Sequence, residues 1–295
     1  MKNRHAPVVL TVVLTVVGLA AAACGSDGAQ QSSPSSDSTL PAVATSSPVG
    51  GYTHPTGADE VVISYAELGG FIPQEFVFRQ TPNVLISGDG QVFGPGAQIE
   101  IYPGPLLPAV QVQTITEQGI QNVLAAADEA GLLADVDYTV DSNVADASTA
   151  TVTIGANGET WTHEAYALGF TEPDGGESTP ERQALLDFVT QLSDLAKLAG
   201  PENLGEATLF DPTEYEIQAI VVEDLSAYGT EGIEPTVEEW PSDVSVRLAD
   251  AAECTVVPAA EVGDLLESAN QLTFFTDAGV TYQVLARPAL PGSTC

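Results

Sequence analysis

Few residues of this sequence can do chemistry, because histidine and cysteine are scarce while carboxylates abound: 3 His, 3 Cys and 41 Asp and Glu in 295 residues. A hydrolase of the α/β type sets its nucleophile on a Gly-flanked G-x-S-x-G elbow, and no such pentapeptide occurs. HExxH, the P-loop and GxGxxG, which serve zinc peptidases, phosphates and dinucleotides, are also missing. His163 alternates with Trp161 and Ala165. To act as a general base it would need a serine or carboxylate delivered from a distant segment, and a structural or surface histidine is the plainer expectation. Asp135, Asp137, Asp141, Asn143 and Asp146 gather five oxygen donors in a dozen residues, the donor type that calcium takes. On a strand, Asp135 and Asp137 would point the same way. The EF-hand order D-x-[DN]-x-[DN]-G is not met, because no glycine stands where that loop turns, so no bound metal is expected and this stretch is a weak alternative. Paired carboxylates could also cleave glycosides at separations of about 5 to 9 Å, which a sequence does not supply. No catalytic residue and no cofactor is therefore assigned.

A different chemistry lies at the N-terminus. Met1, Lys2, Asn3 and Arg4 precede an apolar run from Val8 to Leu19, the charged and hydrophobic regions of a secretory signal. The run is shorter than the roughly 20 residues that span a bilayer. Ala20 to Ala23 then lead into Cys24. This arrangement resembles the lipobox of bacterial lipoproteins, in which small residues precede a cysteine that is acylated and becomes the mature N-terminus. Ala21 departs from the pattern, which usually has a larger aliphatic residue there. The resemblance implies a signal peptide over 1–23, fatty-acyl chains of the palmitate type on Cys24, and a place on the extracytoplasmic face of the cell membrane, which two or more chains hold stably. The alternative is an ordinary signal cut after Ala-x-Ala, leaving Cys24 as a free thiol. Residues 24–57 are rich in Ser, Pro, Gly, Ala and Thr and read as a disordered tether, with the folded part beginning near Asp59.

With Cys24 acylated, Cys254 and Cys295 remain as an even pair in an oxidising compartment, and a disulfide between them is expected. It would close a loop of about 42 residues, worth roughly 4 kcal/mol, and would tie down the C-terminal segment. Beyond the signal, five bases (Arg79, Arg182, Lys197, Arg247 and Arg287) face all 41 acids. Such a field repels nucleic acid and anionic surfaces and attracts cations or basic partners, while a soluble acidic surface is the simplest use of it.

The elements that must position these groups alternate between periods of 2 and 3.6 residues. Strands are expected over Glu60–Glu67, with Val61, Ile63 and Tyr65 on one face, and in a hairpin of Val84–Ser87 and Gln91–Phe93 across Gly88, Asp89 and Gly90. Ile99–Tyr102 should continue that sheet before the irregular run Tyr102 to Pro108. Val110 to Thr114 leads to a helix from about Glu117 to Ala130, striped by Ile120, Val123, Leu124 and Ala127 and stopped by Gly131. Asn157 and Gly158 join a second hairpin, Ala150–Ile154 and Glu159–Ala167. Thr179 and Pro180 open a helix that runs to Gly200. Pro201–Pro212 lacks periodicity and marks a boundary. A strand from Tyr215 to Val222, a short strand Cys254–Val257, a helix over Glu261–Ala269, and a hairpin of Leu272–Thr276 and Val280–Arg287 complete the chain. The class is α+β, with mostly antiparallel sheets and two or three packed amphipathic helices, divisible into subdomains 58–200 and 213–295.

The segments Gly69–Phe71, Gly88–Val92, Tyr102–Pro108 (YPGPLLP), Tyr166–Gly169 and Arg287–Gly292 (RPALPG), together with the signal and tether, resemble a group of actinobacterial lipoproteins across most of the chain. That resemblance implies a compartment and an intact domain and carries over no functional residue. The leading expectation is a lipid-anchored, non-enzymatic binding or envelope protein whose partner, protein or small molecule, is undefined. Tyr102–Pro108 and the surroundings of Trp240 are its candidate contact surfaces, although core packing is the plainer expectation for Trp240 itself. The alternatives are an extracytoplasmic hydrolase built on carboxylates and His163, and the solute-binding component of a transporter. The latter would require larger parallel α/β lobes.

Overall fold

The computed structural model describes residues 51–141, 144–170, 179–229 and 232–295. The signal peptide, Cys24, the tether up to residue 50 and Asn143 lie outside the described residues. Ordered structure starts earlier than composition suggests. Tyr52, placed in the tether by its neighbours' composition, exchanges backbone hydrogen bonds with the Gln121 amide and donates its hydroxyl to Asp128 at 2.6 Å. The backbones of Thr53 and Asn157 are also joined.

Chain order runs β1 (Val61–Gly69), α1 (Gln74–Val77), β2 (Val84–Ser87), β3 (Gln91–Pro95), β4 (Val110–Thr114), α2 (Glu117–Glu129), β5 (Ser148–Ala156), β6 (Glu159–Tyr166), α3 (Pro180–Leu192), α4 (Leu195–Ala199), β7 (Thr208–Leu209), β8 (Glu214–Val221), β9 (Thr236–Glu239), β10 (Thr255–Pro258), α5 (Ala259–Ser268), β11 (Thr273–Asp277) and β12 (Val280–Pro288). The fold is α+β. Seven strands form one sheet in the order β6-β5-β1-β2-β3-β4-β7, and five form another in the order β10-β8-β12-β11-β9. Every pairing is antiparallel except β9 with β11. Among the described residues no helix is long and apolar enough to cross a membrane.

The two longest helices start where side chains satisfy free backbone amides. Thr116 accepts from Gly119 N at the head of α2, and Thr179 accepts from Arg182 N at the head of α3. The apolar stripe of α2, Ile120, Val123, Leu124 and Ala127, packs with Leu185, Phe188 and Leu192 of α3 over Ile63, Ile86, Val152 and Ile154 of the large sheet. A second core lies under α5, where Val262 and Leu266 meet Tyr215, Ile217, Val284 and Ala286. The Asn157–Gly158 turn has positive φ at both residues, as the predicted hairpin requires.

Several expectations are corrected. Ile99–Tyr102 forms no strand and stands exposed, because β4 pairs directly with β3 and leaves no free edge for it. The helix begun at Pro180 breaks at Ser193 and Asp194 and resumes as α4. β9 was not foreseen, since all four of its residues are exposed and give no burial pattern. A register shift in β1 between Val61 and Ile63 sends Val62 into the core beside Ile63 and turns Val61 to the opposite face, so the predicted Val61–Ile63–Tyr65 alternation fails at its first residue. The division at Pro201–Pro212 follows the two sheets only approximately. β7 pairs with β4, and Leu106 from the first half is buried in the second core. By contact the described residues belong to one compact unit.

Candidate functional site

The two sheets meet through the face of the large sheet that the helices leave uncovered. On that face β1 and β5 present Ser64, Ala66, Thr151 and Thr153, with Ser64 directly opposite Thr153 and Ala66 opposite Thr151. These four residues line one side of a cavity of about 300 Å³. Glu216 of β8 and Arg287 of β12, cross-strand neighbours in the small sheet, line another side. Pro288 at the end of β12 and Leu290, Pro291 and Ser293 of the C-terminal segment after it line a further side.

That segment is fastened along its length, first by Ala289 N donating to Glu214 O at 3.0 Å. Leu290 packs with Leu85, Phe93 and Val110 on the outer face of the large sheet. Gly292 N donates to Asp59 O at 3.0 Å. Its φ of 76° and its closeness to Val61 leave no room for a side chain there, since a Cβ would collide with Val61 Cγ2. Cys295 is joined to Cys254 by the expected disulfide, with Cα atoms 5.1 Å apart.

Among the described residues Glu216 and Arg287 are the only charged ones lining the cavity, and they neutralise one another. Arg287 Nε donates to Glu216 Oε2 at 2.6 Å, its Nη1 donates to Gln80 O at 3.2 Å, and the guanidinium lies 5.0 Å from the centre of the Phe78 ring. Glu216 is 1% exposed, and its Oε1 has no hydrogen-bond partner. The Glu216 carboxylate and both sulfurs of the disulfide lie within 4.8 Å of one another. Sequence reasoning missed this pair. The available signals were a glutamate alternating with the apolar Tyr215 and Ile217, and one of only five bases beyond the signal set inside an apolar strand.

The residues singled out for catalysis do not assemble. His163 is 1% exposed. Its Nε2 lies 2.9 Å from Leu132 O and must donate there, leaving Nδ1 to accept from the Tyr138 hydroxyl at 3.1 Å. Burial lowers its pKa below the ordinary value and favours the neutral ring. Both nitrogens are committed to holding the loop before β5, so His163 has no lone pair for a base role. The acidic stretch offers no assembled carboxylate cluster among the described residues. Asp135, Asp137, Asp141 and Asp146 are all exposed. Among the described residues no three of them bring carboxylate oxygens within 4.8 Å of one another. Asp137 instead accepts from Thr139 N at 2.9 Å, and hydrogen bonding from the Thr139 side chain and backbone lowers its pKa.

The two candidate contact surfaces are also revised. Trp240 is buried, donates from Nε1 to Val246 O at 2.9 Å and meets Phe275 edge to face. In Tyr102–Pro108 only Tyr102, 54% exposed, and Pro105 are outward, while Gly104 and Leu106 are buried. Leu106 enters the second core, its N–H bonds to Ala269 O, and Arg79 Nη2 donates to Pro105 O. The run thereby acts as a brace between the sheets. Comparison with protein families, with curated proteins and with solved structures finds no match to this chain.

Proposed function

We propose that this protein is a lipid-anchored, extracytoplasmic binding protein that holds a small, neutral, polar molecule in the cavity between its sheets. The observation carrying this reading is the cavity itself. Its volume of about 300 Å³ is at the small end of ligand pockets and would hold on the order of ten waters at ~30 Å³ each. Its two charges are mutually paired, so an added ion would meet no uncompensated partner. The hydroxyls of Ser64, Thr151 and Thr153 and the exposed part of the Arg287 guanidinium supply donors and acceptors, and Leu68, Leu85 and Leu290 supply apolar walls. Acylation of Cys24, supported by the signal, the small residues before it and the Ser- and Pro-rich stretch after it, would keep this domain at the membrane.

Both parts have direct tests. Thermal melting of the full chain against a panel of neutral sugars, amino acids and carboxamides should reveal a stabilising ligand, with a gain of about 2.7 kcal/mol at one hundred times its Kd. Thr153→Phe, which fills the cavity from a partly exposed position, should abolish the gain. If no compound stabilises the chain, or if Thr153→Phe leaves the gain intact, the cavity is not the binding site. Mass spectrometry of the mature N-terminus should find an acylated Cys24, and an unmodified thiol or a different first residue would refute the anchor.

A further inference from the structure

We infer that reductive cleavage of the Cys254–Cys295 disulfide creates a zinc site composed of the two thiolates and the Glu216 carboxylate. Three observations converge on this corner. The Glu216 carboxylate and both sulfurs lie within 4.8 Å of one another. Glu216 Oε1 is buried with no hydrogen-bond partner, a condition native proteins rarely leave unanswered. The other oxygen, Oε2, is held by Arg287, so the carboxylate cannot turn away to find water.

The chemistry of the donors selects the metal. Thiolates favour zinc over calcium or magnesium, and a carboxylate oxygen is an accepted third ligand. With Zn–S of about 2.3 Å and Zn–O of about 2.0 to 2.2 Å, tetrahedral donors stand roughly 3.5 to 3.8 Å apart. All three donors already lie within 4.8 Å of one another, so closing on a zinc ion requires only that the cleaved sulfurs separate, and the exposure of Cys295 leaves its side chain room to turn. Charge also closes. Zinc contributes two positive charges, the thiolates and Glu216 three negative ones, and Arg287 one positive, so the assembled site is neutral. Three protein ligands leave the fourth position for water.

The conversion balances with a dithiol as reductant. The dithiol gives up two electrons and two protons and becomes a disulfide, while the Cys254–Cys295 bond takes them and becomes two thiols. Zinc then displaces both protons on binding, so uptake strengthens with pH. The C-terminal segment stays cross-linked to Cys254, the residue before β10, in either state, by a covalent bond when oxidised and through the metal when reduced.

The test uses the full chain carrying Cys24→Ser, so that Cys254 and Cys295 are its only cysteines. After reduction with a phosphine, which does not itself compete as a thiolate, cobalt(II) is titrated as a coloured substitute for zinc, beside an oxidised sample. The reduced chain should bind one equivalent, show thiolate-to-cobalt charge transfer and the visible bands of a tetrahedral site, and lose them when zinc is added. The oxidised chain should show neither. Glu216→Gln should weaken the reduced chain's affinity at least tenfold, the scale on which even outer-shell partners act. The inference is overturned if the reduced chain binds no cobalt, or if Glu216→Gln binds as tightly. Loss of the folded circular dichroism spectrum on reduction overturns it as well, because an unfolded chain cannot hold Glu216 against both sulfurs.

Discussion

Arg287→Ala should be among the most damaging single changes available to this protein. The substitution strips a 1% exposed Glu216 of the guanidinium that donates to it at 2.6 Å, removes the hydrogen bond to Gln80 O, and uncovers the Phe78 ring. Breaking a buried pair by deleting one partner costs about 3 to 5 kcal/mol, because a charge is left in a poorly solvated place. Arg287 itself is partly exposed, with 30% of its side chain accessible, so water can enter the vacated space, and the lower end, about 3 kcal/mol, is the expected cost. In a domain of this size that corresponds to a fall in Tm of roughly 6 to 12 °C. Urea and thermal denaturation of wild type, Arg287→Ala, Glu216→Gln and the double variant would measure it. The double variant should be more stable than Arg287→Ala alone, since removing the orphaned charge relieves the penalty. A loss below about 1 kcal/mol for Arg287→Ala, or strict additivity of the two changes, would refute the picture of a desolvated pair.

Other outcomes follow from the same geometry. Cys295→Ser should cost about 4 kcal/mol, the loop-closure value for a bridge spanning 41 residues, and should expose the segment after Pro288 to proteases; unchanged melting and digestion would remove its role as a fastener. Gly292→Ala, forced to a φ of 76° against Val61, should cost about 1 to 2 kcal/mol and raise amide exchange locally at Ser293, while unaltered exchange would contradict the close approach. Because the folded-state pKa of His163 is lowered, the unfolded chain binds the proton first. His163 therefore contributes stability in full above about pH 6.5, and that contribution declines as pH falls toward the folded pKa. Urea titrations of wild type and His163→Gln should show a shallower decline in the variant over that interval, and parallel curves would disprove it. Trp240→Ala should lose about 3 to 5 kcal/mol from the second core, whereas a surface indole would lose little.

Sequence alone determined what depends on local spacing. The stripe of α2, the hairpin turns at Asn157–Gly158 and Ala278–Gly279, and the threonine starts of α2 and α3 are legible because each rests on residues within four or five positions. The Cys254–Cys295 pairing was legible by count once Cys24 was set aside. Tertiary structure decided everything that depends on which faces meet. A one-residue shift in β1 moved Val61 from the core to the cavity, and no periodicity could reveal it because the shift is defined against a neighbouring strand. Whether His163 is structural or on the surface and whether Trp240 is core or contact were left open by the sequence, and the fold buries both. Glu216 and Arg287 stand 71 residues apart and became partners only because β8 and β12 pair in that register. The site belongs to this second category: it lies between sheets, and the contacts that build it are long-range.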